Sequence, residues 1–143
     1  MLSKKAKYGI QAVIALAKEN KKNKMPVQIG TLAKKEKFPK KFLELILLEL
    51  RKQGILHSKL GAGGGYTLGR PADKISIGQI IRTLDGPLAP ISCVSQTAYR
   101  KCDDCKDEKT CEVRKVMQKV RDASARILDG TTLADAMKGK VKV

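Results

Sequence analysis

The 143-residue sequence contains no tryptophan, one histidine, two phenylalanines and three tyrosines. That scarcity argues against an aromatic-lined pocket for a small molecule and against a stacking platform for single-stranded nucleic acid. With His57 alone there is no Ser–His–Asp set and no HExxH pair, and no Walker pattern occurs, so the chain reads as a non-enzyme. No apolar run approaches the roughly 20 residues of a membrane-spanning helix. The opening Met1-Leu2-Ser3-Lys4-Lys5 lacks the apolar core of a secretion signal. Acidic residues are scarce too: 14 Asp and Glu stand against 30 Lys and Arg, a formal net charge of +16. The expectation is a cytoplasmic protein with no membrane partner. There, four cysteines stay reduced and read as metal ligands or redox thiols before disulfides.

The charge is unevenly placed. Residues 1–60 hold 15 basic and 4 acidic groups, whereas residues 101–143 hold 11 and 8. A membrane surface or an acidic protein would also attract such a patch. Duplex DNA or structured RNA suits a basic, aromatic-poor half better. Apolar spacing at Ala6, Ile10, Val13, Ile14 and Ala17 predicts a first helix over residues 3–19, ended by the polar stretch from Lys18 and by Pro26. A short helix follows from Gln28 to Lys35, then a turn at Lys37-Phe38-Pro39, since Pro39 disfavours helical geometry at Phe38. The next helix runs from Lys40 to Gln53 and stops at Gly54. Ile55–Lys59 and Gly65–Leu68 read as two strands joined by the glycine-rich tip Gly61-Ala62-Gly63-Gly64.

Two short helices around a turn, followed by a glycine-tipped hairpin, describe a winged helix-turn-helix. In such a fold the second helix enters the major groove and its early residues reach base edges. Lys40, Lys41 and Glu44 occupy those positions: Lys donates to guanine and Glu accepts from the cytosine amino group. The apolar series Phe42, Leu43, Ile46, Leu47 and Leu50 makes the opposite face a core face. Gln28 and Thr31 on the preceding helix join the DNA-facing set. In the wing, Gly61, Gly63, Gly64, Gly65 and Tyr66 allow close backbone approach, and Lys59 supplies charge.

Ser76 begins a helix over Ile77–Asp85 that Gly86-Pro87 closes. Cys93, Cys102, Cys105 and Cys111, spaced C-x8-C-x2-C-x5-C, lie in a polar stretch without periodicity. Four thiolates suit tetrahedral zinc or an iron–sulfur cluster, and free redox-active thiols are a third reading; the spacing alone does not separate them. A long helix then carries Val113, Val116, Met117, Val120 and Ile127 along one stripe, which needs a partner surface. The fold class is mainly α. It divides into a winged helix-turn-helix over 1–86, a cysteine loop over 87–112, and a dimerisation helix with tail over 113–143.

The run Leu50-Arg51-Lys52-Gln53-Gly54-Ile55-Leu56, the wing Gly61-Ala62-Gly63-Gly64-Gly65-Tyr66-Thr67-Leu68, and Ile75-Ser76-Ile77 resemble the Rrf-two family of bacterial transcriptional regulators. Lys7-Tyr8 with Ala12 and Leu16-Ala17 resembles the family's first helix. The resemblance implies a homodimer that binds an imperfect palindrome in double-stranded DNA, with the long helix crossing its twin. It places Glu44 at the base-reading glutamate, and Leu60 where a wing arginine often stands. It also implies that Cys93, Cys105 and Cys111 hold a two-iron two-sulfur cluster. The family's fourth-ligand positions carry Arg114 and Lys7, neither of which is an ordinary ligand, leaving Cys102 as the candidate fourth. The leading expectation is a regulator sensing redox state, nitric oxide or iron–sulfur supply. Alternatives are a cluster-free regulator controlled by docking a metabolic enzyme, and a basic RNA-binding protein with a structural zinc site.

Overall fold

The computed structural model describes residues 2–143. Helix α1 spans Lys4–Asn23, with the Ser3 hydroxyl accepting from the Ala6 N–H at 3.0 Å. Its buried face is Ala6, Gly9, Ala12, Val13, Leu16 and Ala17, while Ile10 and Ile14 sit only half-buried beside it. The helix continues four residues past the expected end. Lysine is a good helix former, the lysines there point to water, and α1 stops only where Lys24 turns left-handed at φ 54°. Asn20, inside that added turn, joins three elements: its side-chain amide donates to Met25 O, and its Oδ1 accepts from Leu68 N–H, at 3.0 and 3.1 Å.

Helix α2 spans Ile29–Glu36 and α3 spans Lys40–Lys52, with Pro39 as the capping residue of α3. Leu43, Ile46, Leu47 and Leu50 are buried, all but Leu43 with no exposed surface, and they fix how α3 is rotated beneath α1. Tyr8 of α1 lies against Phe38 and Phe42, edge-on to the second, closing that end of the interface. Strand β1 (Leu56–Lys59) pairs antiparallel with β2 (Gly65–Leu68) in the register Leu56 to Leu68 and Lys59 to Gly65. Val27 adds a one-residue bridge on the outer side of β2, exchanging both backbone hydrogen bonds with Tyr66 at 2.8 and 2.9 Å. The wing is therefore tied to the segment entering α2.

Helix α4 spans Ile77–Asp85, opened by a capping box between Ser76 and Gln79 and ended at Gly86 with φ 89°. Gly9 lets α1 settle onto it: a Cβ there would stand 2.2 Å from Leu84 Cδ1. After a polar loop, α5 spans Glu112–Gly130 and buries none of its residues. Helix α6 (Leu133–Met137) returns to the core through Leu133, which is fully buried. Ile77 N–H donates to Thr131 O and Leu133 N–H to Ile75 O, at 3.0 and 2.7 Å, and Arg82 grips Asp129 with two bonds of 2.6 and 2.8 Å. Gly78 makes room for that carboxylate, because a Cβ would meet Asp129 Oδ1 at 2.1 Å.

The wing glycines divide into two kinds. Gly61 and Gly63 have φ of 85° and 73° with open space where a Cβ would go. Gly65 has φ 138° and a Cβ would lie 2.5 Å from the Val27 carbonyl, while at Gly64 it would lie 2.3 Å from Lys59 O. Gly61→Ala is therefore expected to cost about 1–2 kcal/mol of backbone strain. Gly65→Ala should cost more, roughly 2–5 kcal/mol, because backbone must also move aside. Urea midpoints of the two variants check the order.

Candidate nucleic-acid interface and cysteine cavity

The buried seam of α3 leaves its other side to solvent. Lys40, Glu44, Leu48 and Arg51, at steps of four, four and three residues, line up on that side and form one wall of an open groove of about 530 Å³. The second wall is the wing, with Ser58, Lys59, Leu60, Gly61, Gly64, Gly65 and Tyr66, and Gln28 closes the end beside α2. Eight residues singled out from the sequence thus meet at one surface: Gln28, Lys40, Glu44, Lys59, Gly61, Gly64, Gly65 and Tyr66. Thr31, Lys41 and Gly63 are exposed but lie outside the groove lining.

Sequence reasoning missed Arg51, whose Nη1 donates to Ser58 Oγ at 3.2 Å and so links α3 to β1. Its seven-residue step from Glu44 was a usable signal, since that is two helical turns on the same face. Ser58 sits in β1 with its side chain exposed, as are His57 and Lys59. Leu60, at the turn, is 92% exposed. Chemically the groove offers two lysines, a guanidinium, one carboxylate and a row of side-chain-free backbone, a set suited to phosphates along its edges and base edges along α3.

The second candidate site lies at the foot of α5. Cys93 sits in a 3-10 turn at Ser92–Val94 and is buried. Cys111 caps α5, its Sγ accepting from Arg114 N–H at 3.4 Å. Cys102 and Cys105 bracket a turn in which Cys105 N–H donates to Cys102 O at 3.2 Å. All four cysteines line one cavity of about 460 Å³, together with Ile91 and Arg114. The neighbouring Cys93 thiol first, then burial, holds the Cys102 thiol above its ordinary pKa.

Arg114 brings a guanidinium to the same cavity, with a buried Nε that has no hydrogen-bond partner. Asp104, Asp107 and Lys106 line the same cavity, so Arg114 and Lys106 face two carboxylates there and the local charge is near balance; the fit to an anionic cluster or thiolate-bound metal rests on the four soft sulfur donors. Among the described residues, no three His, Cys, Asp or Glu side chains stand close enough together to hold a metal ion. The four thiols are the soft donors such a group takes.

On α5 the expected stripe is split. Val113, Val116 and Val120 are 62, 56 and 43% exposed, whereas Met117 and Ile127 are half-buried. No helix of the described residues is long and apolar enough to cross a membrane.

Comparison with known proteins agrees with the architecture. A helix-turn-helix transcriptional regulator of Rhodobacter capsulatus, described as rrf2-like, is 40% identical over 138 residues, covering 96% of this chain and 92% of its own. The solved structure of CymR, the global cysteine regulator of B. subtilis, superposes with a TM-score of 0.79 at 31% identity, covering 98% of both chains. That of T. potens IscR gives 0.75 at 30% identity, covering 97% of this chain and 87% of its own. The family model Rrf2, described as an iron-dependent transcriptional regulator, matches residues 2–139. With its two-walled basic groove and its winged helix-turn-helix, the chain belongs to the Rrf2 family: it is a DNA-binding transcriptional regulator, not an enzyme.

Proposed function

We propose that this chain works as a homodimer on an imperfect palindrome, with α3 in the major groove and the wing against the flanking backbone. One observation carries the reading: α3 and the wing present Lys40, Glu44, Arg51 and Lys59 to a single groove. Glu44 is the one carboxylate in that groove, and a carboxylate facing DNA is repelled by phosphate unless it accepts from a base. Its natural partner is the cytosine amino group. Lys40, Lys41, Arg51 and Lys59 supply the sequence-independent attraction, with Gln28 and Thr31 positioning the start of α2. The homodimer reading draws its support from α5, where Val113, Val116 and Val120 leave an apolar face in water that a second copy would cover.

In this reading the cysteine cavity is the sensory element. Cys93, Cys105 and Cys111, with Cys102 as fourth, would hold a two-iron two-sulfur group. The group supplies a redox-active centre when bound. The chain's part is to provide four soft donors, shield them behind Ile91, and connect them to α5 through Cys111 at its first turn. A cluster-free regulator is the second reading, in which the four thiols that line the cavity act as free redox-active groups.

Three experiments test these points. Selection from a random duplex library defines the site. On that site Glu44→Ala should relax preference at one base pair per half-site, a loss of about 1–3 kcal/mol in discrimination. Lys59→Ala should instead weaken all sequences alike and make the log affinity against log salt plot shallower by about one; unchanged base preference in the Glu44 variant would overturn the role of α3. For the assembly, a Val116→Asp, Val120→Asp double variant should sediment as a monomer and lose palindrome binding; a dimer would place the interface elsewhere. Anaerobic reconstitution with iron and sulfide should give a coloured protein. Serine at Cys93, Cys105 or Cys111 should abolish or strongly weaken the colour, and a colourless wild type with no bound iron would favour the thiol reading.

A further inference from the structure

The turn that joins β1 to β2 is nearly bare of side chains. Between Lys59 and Tyr66, Leu60 is the only residue whose side chain is larger than a methyl group. It is 92% exposed, and the returning arm, Gly63-Gly64-Gly65, offers no side chain for it to lie against. Leu60 therefore contributes nothing to the apolar core.

A lone exposed leucine is ordinary on a protein surface. Two features distinguish this one. It lines the groove between α3 and the wing, together with Lys40, Glu44 and Lys59. Its backbone is also held on both sides: Lys59 pairs with Gly65 in the sheet, and Gly64 N–H donates to Gly61 O at 3.0 Å. The turn is close-packed, since a Cβ at Gly64 would lie 2.3 Å from Lys59 O. A side chain presented by so fixed a turn loses little backbone freedom when something covers it.

We propose that Leu60 is an apolar specificity contact, entering the minor groove beside the bases read by α3 and lying on its floor at an A·T pair. This rests on the placement of α3 and the wing proposed above. The minor groove is about 6 Å wide. A hairpin with side chains on both arms is too broad for it, whereas a glycine tip carrying one branched side chain fits. Lys59, one residue back, is left to meet phosphate at the groove edge. The choice of base follows from what the floor presents. A·T and T·A show only acceptors there, while G·C adds the guanine 2-amino donor. Leucine cannot accept from that amino group, so over G·C it buries an unpaired donor and is held off the floor. Over A·T it seats deeper and removes more apolar surface from water. That gain releases no counterions, which separates it from the lysine contacts.

The test uses the full-length protein and the duplex that the wild type selects. Leu60→Ala should leave the urea midpoint unchanged and weaken binding about tenfold. Its plot of log affinity against log salt should keep the wild-type slope, unlike that of Lys59→Ala. Leu60→Met, apolar and of similar volume, should retain most of the affinity. A repeated selection with Leu60→Ala should lose an A·T preference at one pair outside those that Glu44→Ala alters. At that pair G·C should weaken the wild type, and inosine·C should restore it. Inosine keeps the major-groove face of guanine and lacks only the 2-amino group.

Wild-type affinity and base preference in Leu60→Ala overturn the proposal. So does an inosine duplex that binds as poorly as the G·C duplex, because the discrimination then lies in the major groove. A shallower salt slope in Leu60→Ala overturns it too, since the loss is then one of phosphate contacts. Unchanged base preference in Glu44→Ala counts against the placement of α3 instead, and the Leu60 variants still decide the wing. A wild type that selects no duplex overturns both.

Discussion

Ile46, Leu47 and Leu50 lose all their exposed surface when α3 packs under α1, and that burial sets the rotation of α3 about its own axis. Everything on the helix's other side follows from it. A turn of one residue, 100°, would bring Glu49, or in the other sense Glu44 and Arg51, into the core, at a cost no surface contact could offset. Lys40, Glu44 and Arg51 are thus presented outward by the core rather than by any interaction among themselves. The same packing admits Gly9 of α1 against Leu84, so the helix that covers α3 also seats α4.

The far end of the molecule is organised by polar contacts instead. Arg82 to Asp129, Ile77 to Thr131 and Leu133 to Ile75 join α4 to the end of α5, while Arg121 to Val94 joins the middle of α5 to the cysteine turn. The Arg82 guanidinium is raised further above its ordinary range by its carboxylate partner, in spite of partial burial. No residue of α5 is fully buried within the chain, so these bonds, with half-buried Met117, Ile127 and Leu128, hold its direction. The long helix is thus held mainly by polar contacts, whereas the winged half rests on a closed apolar core.

Much of this was legible in the residues. The period of α3, the glycine tip of the wing and the Ser76 cap each carry a local chemical signal, and each element lies where that signal puts it. The end of α1 was hidden because Lys24 takes the left-handed position usually marked by glycine or asparagine. The bridge from Val27 to Tyr66 was hidden because a one-residue pairing leaves no alternation to read. Of the groove, the lysines, Glu44 and the wing were readable from spacing. Arg51 was assigned to the helix dipole, and its reach to Ser58 depends on the tertiary angle between α3 and β1. The cysteines announced a site. The Ser92–Arg100 clamp that holds their loop has no counterpart in the spacing.

Val27 bonds Tyr66 through both backbone groups, and Gly65 beside it has no room for even a methyl group against Val27. Wing and helix-turn-helix are thereby a single caliper with its jaws at a set opening. In the proposed complex, the gap between the nucleotides met by α3 and those met by the hairpin is then a fixed length belonging to one chain. Adaptation to DNA of unequal groove width has to come from the duplex, which bends or narrows to fit, so sequences that deform easily between the two contacts gain an advantage without being touched.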